Sequence, residues 1–404
     1  MALRAEISIR QTKVILNRLS DLVKKYNTRI FIVGGPVRDM LMTKKKLPVI
    51  EQDLDIAVED NYQNIGENLA KGLSAKVIRY PQFMTMTLQL KDSGHIDIAQ
   101  TRKEEYLKPA MLPVVKPATI QDDLKRRDFT INAMALEITG QTPYSIIDPS
   151  NGRKDLKDKV VRVLHKQSFI DDPTRIFRAI RFSTRSGFKI EKETQALMKK
   201  AIRANLLKLL SGERILYEIK MIMKEKKGTD MLKSLQSYNI ISNLFSIHLP
   251  KKFFLEQKSL DNETIKLIHF FSFIPEALWS KYPVFKETGE SVKQLKEFPK
   301  HRASLLAAKK PSQIYTILKI FNKAALRVLM CLERESARKK IKNYLNKYSK
   351  VKIFTTGDML KSLQMKPGPR YTKIFNELVA LKLDGLIVSK SDEIKYIVKQ
   401  VFDV

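Results

Sequence analysis

The sequence predicts an α+β chain, with a head built on a small mixed or antiparallel sheet and an extended all-α remainder forming neck, body and tail. Two observations carry that expectation. Short apolar runs of strand length recur between residues 29 and 98, with helix-type segments around them. From about residue 155 the apolar spacing is helical almost throughout.

Residues 8–27 have helical periodicity, Arg29–Val33 reads as a strand and Val37–Leu41 as the start of a helix. Further strands are expected at Leu54–Val58, Ala75–Ile78, Thr85–Leu90 and His95–Ile98, with a helix over Tyr62–Leu73. The mixed pattern ends near residue 140. Helices are then expected over Pro173–Ser186, Glu191–Leu210 and Glu213–Lys226. Pro250, Pro275, Pro283 and Pro299 are expected to delimit later helices. No Gly/Ser linker marks the joints, and the expected division is a head over 1–140, a neck over 141–225, a body over 226–345 and a tail over 346–404.

The 404 residues carry 75 Lys and Arg against 43 Asp and Glu, a formal net charge of +32. A lysine-rich surface reflecting genome composition accounts for part of this excess; the rest points to a polyanionic partner, because each neutralised phosphate releases counterions. The single cysteine, Cys331, excludes a disulfide framework and a Cys-based zinc site, and fits a reducing compartment and a core thiol. Met1 to Ser20 has no uninterrupted apolar stretch of signal-peptide type, and no window approaches eighteen consecutive apolar residues. A soluble cytoplasmic protein with no membrane partner is the expectation.

Phe31-Ile32-Val33 runs into Gly34-Gly35 and then Pro36-Val37-Arg38-Asp39. A buried strand ending in two glycines lets the backbone turn sharply and another group approach closely. Backbone N–H groups freed there can cradle phosphate, as nests and helix N-termini do. Downstream, Asp53-Leu54-Asp55 opens a run ending Ile56-Ala57-Val58, so on a strand both carboxylates project from one face. Paired carboxylates are hard oxygen ligands suited to Mg²⁺. Alone, Asp-x-Asp also fits a turn with solvated aspartates. In order with Gly-Gly it is far more specific.

Two further segments carry polar chemistry. Arg126-Arg127-Asp128-Phe129-Thr130-Ile131-Asn132 sets cationic forks beside neutral hydrogen-bonding groups, a mixture suited to phosphate and ribose, although a surface ion-pair cluster has the same composition. In Asp171-Asp172-Pro173-Thr174-Arg175, Asp172 suits an N-cap with proline at the first helical position. Arg175, Arg178 and Arg181 then recur every third residue as a ridge. The ridge fits either a solvated basic stripe or a cleft wall, with Ile176, Phe177, Ile180 and Phe182 as anchors.

These motifs together resemble the class II tRNA nucleotidyltransferase (CCA-adding enzyme) and bacterial poly(A) polymerase family, which adds nucleotides to RNA 3′ ends without a nucleic-acid template. The resemblance runs in order over roughly residues 28–220: Gly34-Gly35-x-x-Arg38-Asp39, Asp53-x-Asp55, Arg126-Arg127-Asp128, Asp148-Pro149 with Gly152, Asp172-x-x-Arg175, and Ser211-Gly212-Glu213-Arg214.

The resemblance implies that Asp53 and Asp55 bind two Mg²⁺ ions, with Asp97 as a third carboxylate on a neighbouring strand. It implies that Gly34, Gly35 and Arg38 hold the triphosphate of CTP or ATP with help from Arg127, and that Asp128 and Asn132 contact ribose. Asp172 and Arg175 would read the base, an acceptor beside a donor that complements cytosine and adenine and refuses uracil. Arg178 and Arg181 would continue toward base and phosphate. Where many members have Glu-Asp, this chain has Asp171-Asp172.

Pro109 to Val115 resembles the flexible loop of one branch of the family, whose members add CCA, only CC or only A. The length of the loop disfavours a CC-only enzyme. Thr356-Gly357-Asp358, Lys366-Pro367-Gly368-Pro369-Arg370 and Leu383-Asp384-Gly385 resemble the tail of tRNA-specific members, with a helix start near Gly357 and Lys366, Arg370 and Lys373 suited to RNA backbone. An ordinary helical hairpin would also explain this segment. Arg338-Lys339-Lys340 with Lys342 is expected to be a solvated face. The expected function is C or A addition to the tRNA 3′ end; a poly(A) polymerase and a non-catalytic RNA binder are the alternatives.

Overall fold

The computed structural model describes residues 9–44, 53–91, 94–138 and 144–402. The chain forms two compact units, one running to Glu218 and including Asp230–Leu244, the other made of Ile219–Thr229 and the chain from Phe245 onward. No described helix is long and apolar enough to cross a membrane.

The first unit begins with α1 (Ile9–Tyr26), β1 (Ile30–Val33), α2 (Gly35–Met42) and β2 (Asp53–Val58). Then come α3 (Tyr62–Leu73), β3 (Lys76–Tyr80), β4 (Thr85–Gln89) and β5 (His95–Gln100). A hairpin of β6 (Arg102–Glu105) and β7 (Val114–Pro117) leads to α4 (Ile120–Lys125), β8 (Ala135–Glu137) and β9 (Ile146–Ile147). Beyond it lie α5 (Gly152–Lys157), β10 (Val160–Val161), α6 (Ser168–Asp171), α7 (Thr174–Ser186), β11 (Lys189–Ile190), α8 (Lys192–Arg203) and α9 (Gly212–Lys224).

Seven strands form a mixed sheet in the order β3-β4-β5-β2-β1-β8-β9, as expected, with β2 and β5 the parallel pair. All four residues of β1 are buried. Ile30 and Ile32 pack with Ile15 and Leu19 of α1 and with Leu54 and Ile56, while Phe31 and Val33 pack on the other face with Ala57, Ile120 and Leu124. A strand covered on both faces reads as an unbroken apolar run. Burial of such side chains, about 1.5–3 kcal/mol each, also fixes the register of β2, because a one-residue slip would drive Asp55 into the core. Asp55 therefore shares the face of Ala57, on which α4 lies.

Several expectations are corrected. The loop expected over Pro109–Val115 belongs to a strand hairpin, with Val114 and Val115 in its second strand; Arg102-Lys103-Glu104-Glu105 is polar at every position and gives no periodic signal. The two-residue strands β10 and β11 interrupt the expected all-helical neck. The helix expected over 191–210 ends at Arg203, because Asn205 adopts a left-handed conformation (φ 58°) before the short turn Leu206–Leu209. Pro299 does not delimit a helix but lies inside Val284–Ala307, where buried Phe298 and Leu305 hold the helix across the missing N–H. Pro250, Pro275 and Pro283 do precede helical segments.

The second unit is helical, with apolar clusters around Phe298 and around Leu360. Lys340 is not solvated: its Nζ donates to the carbonyls of Leu305, Leu306 and Ala308, closing the C-terminus of the Val284–Ala307 helix. A helix does start at Gly357, capped by Thr356. In the same region Glu393 is fully buried and accepts bonds from Phe354 N (2.8 Å), Thr355 N (2.9 Å), Thr355 Oγ1 (2.8 Å) and Lys382 Nζ (3.0 Å). Burial pushes its carboxyl up, but the bonds from Lys382 and the two amides outweigh it and hold the group below its ordinary value.

Glu393→Gln is expected to cost about 2–3 kcal/mol in the denaturant unfolding of this unit. Because the folded value is the lower one, the carboxylate contributes fully above the unfolded value and loses its contribution as pH falls through the folded value. The variant should accordingly show a flatter acid limb in stability measured against pH.

Candidate active site

The strand-to-helix turn after β1 sets the first wall of a cavity of about 970 Å³. Gly34 has φ 73° and ψ −129°, a conformation that a side chain would strain. A Cβ there would also stand 3.2 Å from Arg127 Nη1 and 3.5 Å from Asp55 Oδ2, so the turn sits directly against a cation and a carboxylate. Its amide bonds the Met134 carbonyl (3.3 Å), and α2 starts with Pro36 in its first turn.

Asp55 stands opposite Asp97 in the parallel register of β2 and β5. Thr87 Oγ1 donates to Asp97 Oδ1 (2.5 Å), and His95 Nε2 lies 3.7 Å from its Oδ2. Asp53 opens β2 opposite His95, but its side chain lies outside the described residues. Among the described residues no three His, Cys, Asp and Glu side chains gather as a metal-binding group. Asp55 lines the cavity; Asp97 is not among the residues that line it.

The Arg126-Arg127-Asp128 segment is organised by a buried carboxylate. Asp123, on α4, accepts from Arg126 (2.7 Å from Nη2) and Arg127 (2.9 Å from Nη2), and also from the Arg102 amide (3.3 Å). Burial raises its carboxyl, yet the two guanidiniums bring it below the ordinary value. On β6, Glu104 accepts from Arg126 Nη1 (2.7 Å) and Tyr106 Oη (2.8 Å). Two adjacent arginines are thereby aimed by one shared acid, and Arg126 by a second.

Asp128 is also buried, and accepts from Arg178 Nε (2.7 Å), the Phe129 amide (2.8 Å) and Asn132 Nδ2 (3.1 Å). Burial opposes its charge, and Arg178 outweighs burial and lowers it; the Asp128 charge in turn raises Arg178. Asn132 Oδ1 accepts from Arg38 Nη1 (2.7 Å), whose other nitrogens bond Asp39. Gly152 supports this loop: a Cβ there would meet the Thr130 carbonyl at 2.2 Å. Asp148 accepts from the Gly152 and Arg153 amides (2.7 and 2.9 Å), and Asp155 accepts from Thr130 Oγ1 (2.7 Å). The Asp-Pro…Gly motif therefore packs α5 against the residues that hold Arg38.

The far wall is α7. Asp172 lies two residues before the helix and caps it through the Thr174 amide (3.0 Å) and Oγ1 (2.6 Å). Arg175 is 5% exposed, too buried for a solvated stripe, and its guanidinium donates to Ser168 Oγ and the Arg126 carbonyl, both at 2.7 Å. Arg181 bonds Glu218 (3.0 Å), whose carboxyl burial pushes up despite that partner. Phe182 packs edge-on against buried Phe129 (5.8 Å between ring centres) and also faces the cavity, with the guanidinium carbons of Arg38, Arg178 and Arg185 at 5.2, 5.5 and 5.6 Å from its ring. Asp171 lies 3.9 Å from His165 Nδ1 instead of entering the cavity.

Gly34, Gly35, Arg38, Asp55, Arg127, Asp128, Asn132, Asp172, Arg175, Arg178 and Arg181 thus line one cavity. Sequence reasoning missed Glu104, Tyr106, Asp123, Arg185 and the contacts of Arg214. Glu104 and Arg214 meet partners distant in sequence, and Arg185 falls four residues after Arg181, off the every-third-residue ridge.

Known proteins resemble this chain in sequence and fold. Residues 30–162 match the Poly A polymerase head domain, and residues 187–251 match the family described as "Probable RNA and SrmB- binding site of polymerase A". The A-adding tRNA nucleotidyltransferase of Aquifex aeolicus is 43% identical over 45% of this chain and 21% of its own length. That of Geobacter sulfurreducens is 28% identical over 96% of this chain and 47% of its own. A solved CCA-adding enzyme in complex with ATP superposes with a TM-score of 0.78 at 26% identity, over 98% of this chain and 96% of that one. Over these residues the chain is similar to the tRNA nucleotidyltransferase and bacterial poly(A) polymerase family. It spans less than half the length of these two curated relatives. The motifs from Gly34 to Arg214 fall in the unit that forms the cavity.

Gly152→Ala should lower stability by about 1–3 kcal/mol, since the contact is with backbone that cannot rotate away. It should also weaken ATP binding, because displacing Thr130 moves Asn132 and releases Arg38. Denaturant midpoint and nucleotide titration check the two effects separately.

Proposed function

We propose that this chain transfers C or A from CTP or ATP to the 3′ end of tRNA, completing or repairing the CCA end. One observation carries the reading: a single cavity is lined by a glycine turn, Asp55, Arg38 and Arg127 and by the Asp172/Arg175 pair. A nucleoside triphosphate needs both groups, phosphates against amides and guanidiniums, base against an acceptor and a donor. Both relatives named above are A-adding enzymes, which favours transfer of the terminal adenosine alone as the narrower form of this reading.

The chain's own residues divide the work. Arg38 and Arg127 hold the triphosphate, with Asp39, Asn132 and Asp123 fixing their forks. Asn132 and Asp128 flank the ribose. Asp172 accepts from the amino group of the base and Arg175 donates to a ring acceptor; UTP places a carbonyl against the carboxylate and is refused. The carboxylates of Asp55 and Asp97, opposite each other in register, suit Mg²⁺, and Asp53 on the same strand face would join them. Bound there, divalent ions would activate the RNA 3′-hydroxyl and stabilise the pyrophosphate leaving group. The segment 346–404 is proposed as the tRNA-binding tail, after a catalytic head over 1–140, a neck over 141–225 and a body over 226–345, acting in the cytoplasm.

Incubation with tRNAs ending before the CCA, after CC, or complete, each with CTP, ATP or both, tests the reading. Products of defined length ending in CCA support it, and extension confined to tRNA ending in CC supports the A-only form; long A tails on any RNA would overturn both in favour of a poly(A) polymerase. Asp55→Ala should lower transfer by at least about a thousandfold while tRNA affinity stays within about twofold.

A further inference from the structure

Asp172 does not present a symmetric carboxylate to the cavity. Its Oδ1 accepts three bonds, from the Thr174 amide (3.0 Å), Thr174 Oγ1 (2.6 Å) and Arg214 Nη2 (2.7 Å). A carboxylate oxygen has about two good lone-pair directions, so Oδ1 is saturated and the base must meet Oδ2. The other Arg214 nitrogen, Nη1, donates to the Ala110 carbonyl (2.6 Å). Ala110 has φ 62°, and its amide bonds the Ile170 carbonyl (3.2 Å), just before Asp171 and Asp172. It sits in the loop of the β6–β7 hairpin, where Met111, Leu112 and Pro113 line the same cavity. Arg214, on α9, is half-buried and lines it too.

We propose that Arg214 is a specificity-determining positioning residue, which fixes Asp172 as a single-acceptor reader through Oδ2 and ties that orientation to the position of the 107–113 loop. A carboxylate free to rotate offers either oxygen and adapts to a displaced base; one locked at Oδ1 accepts a donor in one place only. The guanidinium fork is required because two acceptors on different segments must be held at once. A lysine in its place reaches one of them. The proposal rests on the nucleotide-transfer reading of the same cavity.

The test compares kcat/KM for ATP, UTP, GTP and purine riboside triphosphate, which lacks the 6-amino group, in the wild type, Arg214→Lys and Arg214→Met, with tRNA affinity measured alongside. Arg214→Met should lower the preference for ATP over the amino-less analogue by about tenfold, the discrimination carried by one charge-assisted hydrogen bond, with a smaller loss in Arg214→Lys. Unchanged tRNA affinity is expected in both. Loss of rate by the same factor for all four triphosphates, or unchanged ratios, would overturn the proposal. If the wild type transfers nothing to tRNA, the functional reading fails by itself, and the same ratios read as dissociation constants of the four triphosphates still decide the role of Arg214.

Discussion

Crowding of like charge governs the site. Nine arginines line the cavity against five acidic residues on its walls. Two guanidiniums about 4 Å apart repel by about 4 kcal/mol at an effective dielectric of 20, so a wall of this kind holds its shape only if each fork is pinned. Asp123 pins two, Asp128 pins Arg178, and Glu218 pins Arg181. The acids orient the cations without cancelling them all, and the remaining positive field is what a triphosphate and an RNA end would complete. Arg175 is the extreme case, a buried guanidinium bonded to a hydroxyl and a carbonyl.

The pins come from elements far apart in sequence. Arg126 is held from β6 by Glu104 and from α4 by Asp123, and its carbonyl in turn holds Arg175 on α7. Arg214 on α9 reaches Asp172 and the hairpin loop. Asp172 and Arg175 therefore both depend on the β6–β7 hairpin. A shift of the hairpin would reach the two by separate routes.

The sheet, the Gly-Gly turn and the place of Asp55 were legible because their signals are local. Period-two alternation puts Asp55 on the face of Ala57, and a continuous apolar run marks β1 as covered on both sides. The family resemblance followed from the order of the motifs. The hairpin was not legible, since β6, charged at every position, has no apolar period, and Glu104 meets Arg126 only across 22 residues of sequence. Pro299 misled because proline normally ends a helix, whereas here the packing of Phe298 and Leu305 overrides local preference. The α7 arginines were legible as a ridge, but not the acids that hold them. Glu218 lies 37 residues beyond Arg181, and Asp128 lies 50 residues before Arg178, separations that no periodicity reports.

The central claim is that side chains, with no template, choose the nucleotide. Calorimetric titration of the chain with each of the four ribonucleoside triphosphates, without RNA and at constant Mg²⁺, tests it most directly. ATP should bind at least about tenfold more tightly than UTP and GTP, the discrimination expected of one charge-assisted bond to Asp172. Equal affinity for all four would contradict the account.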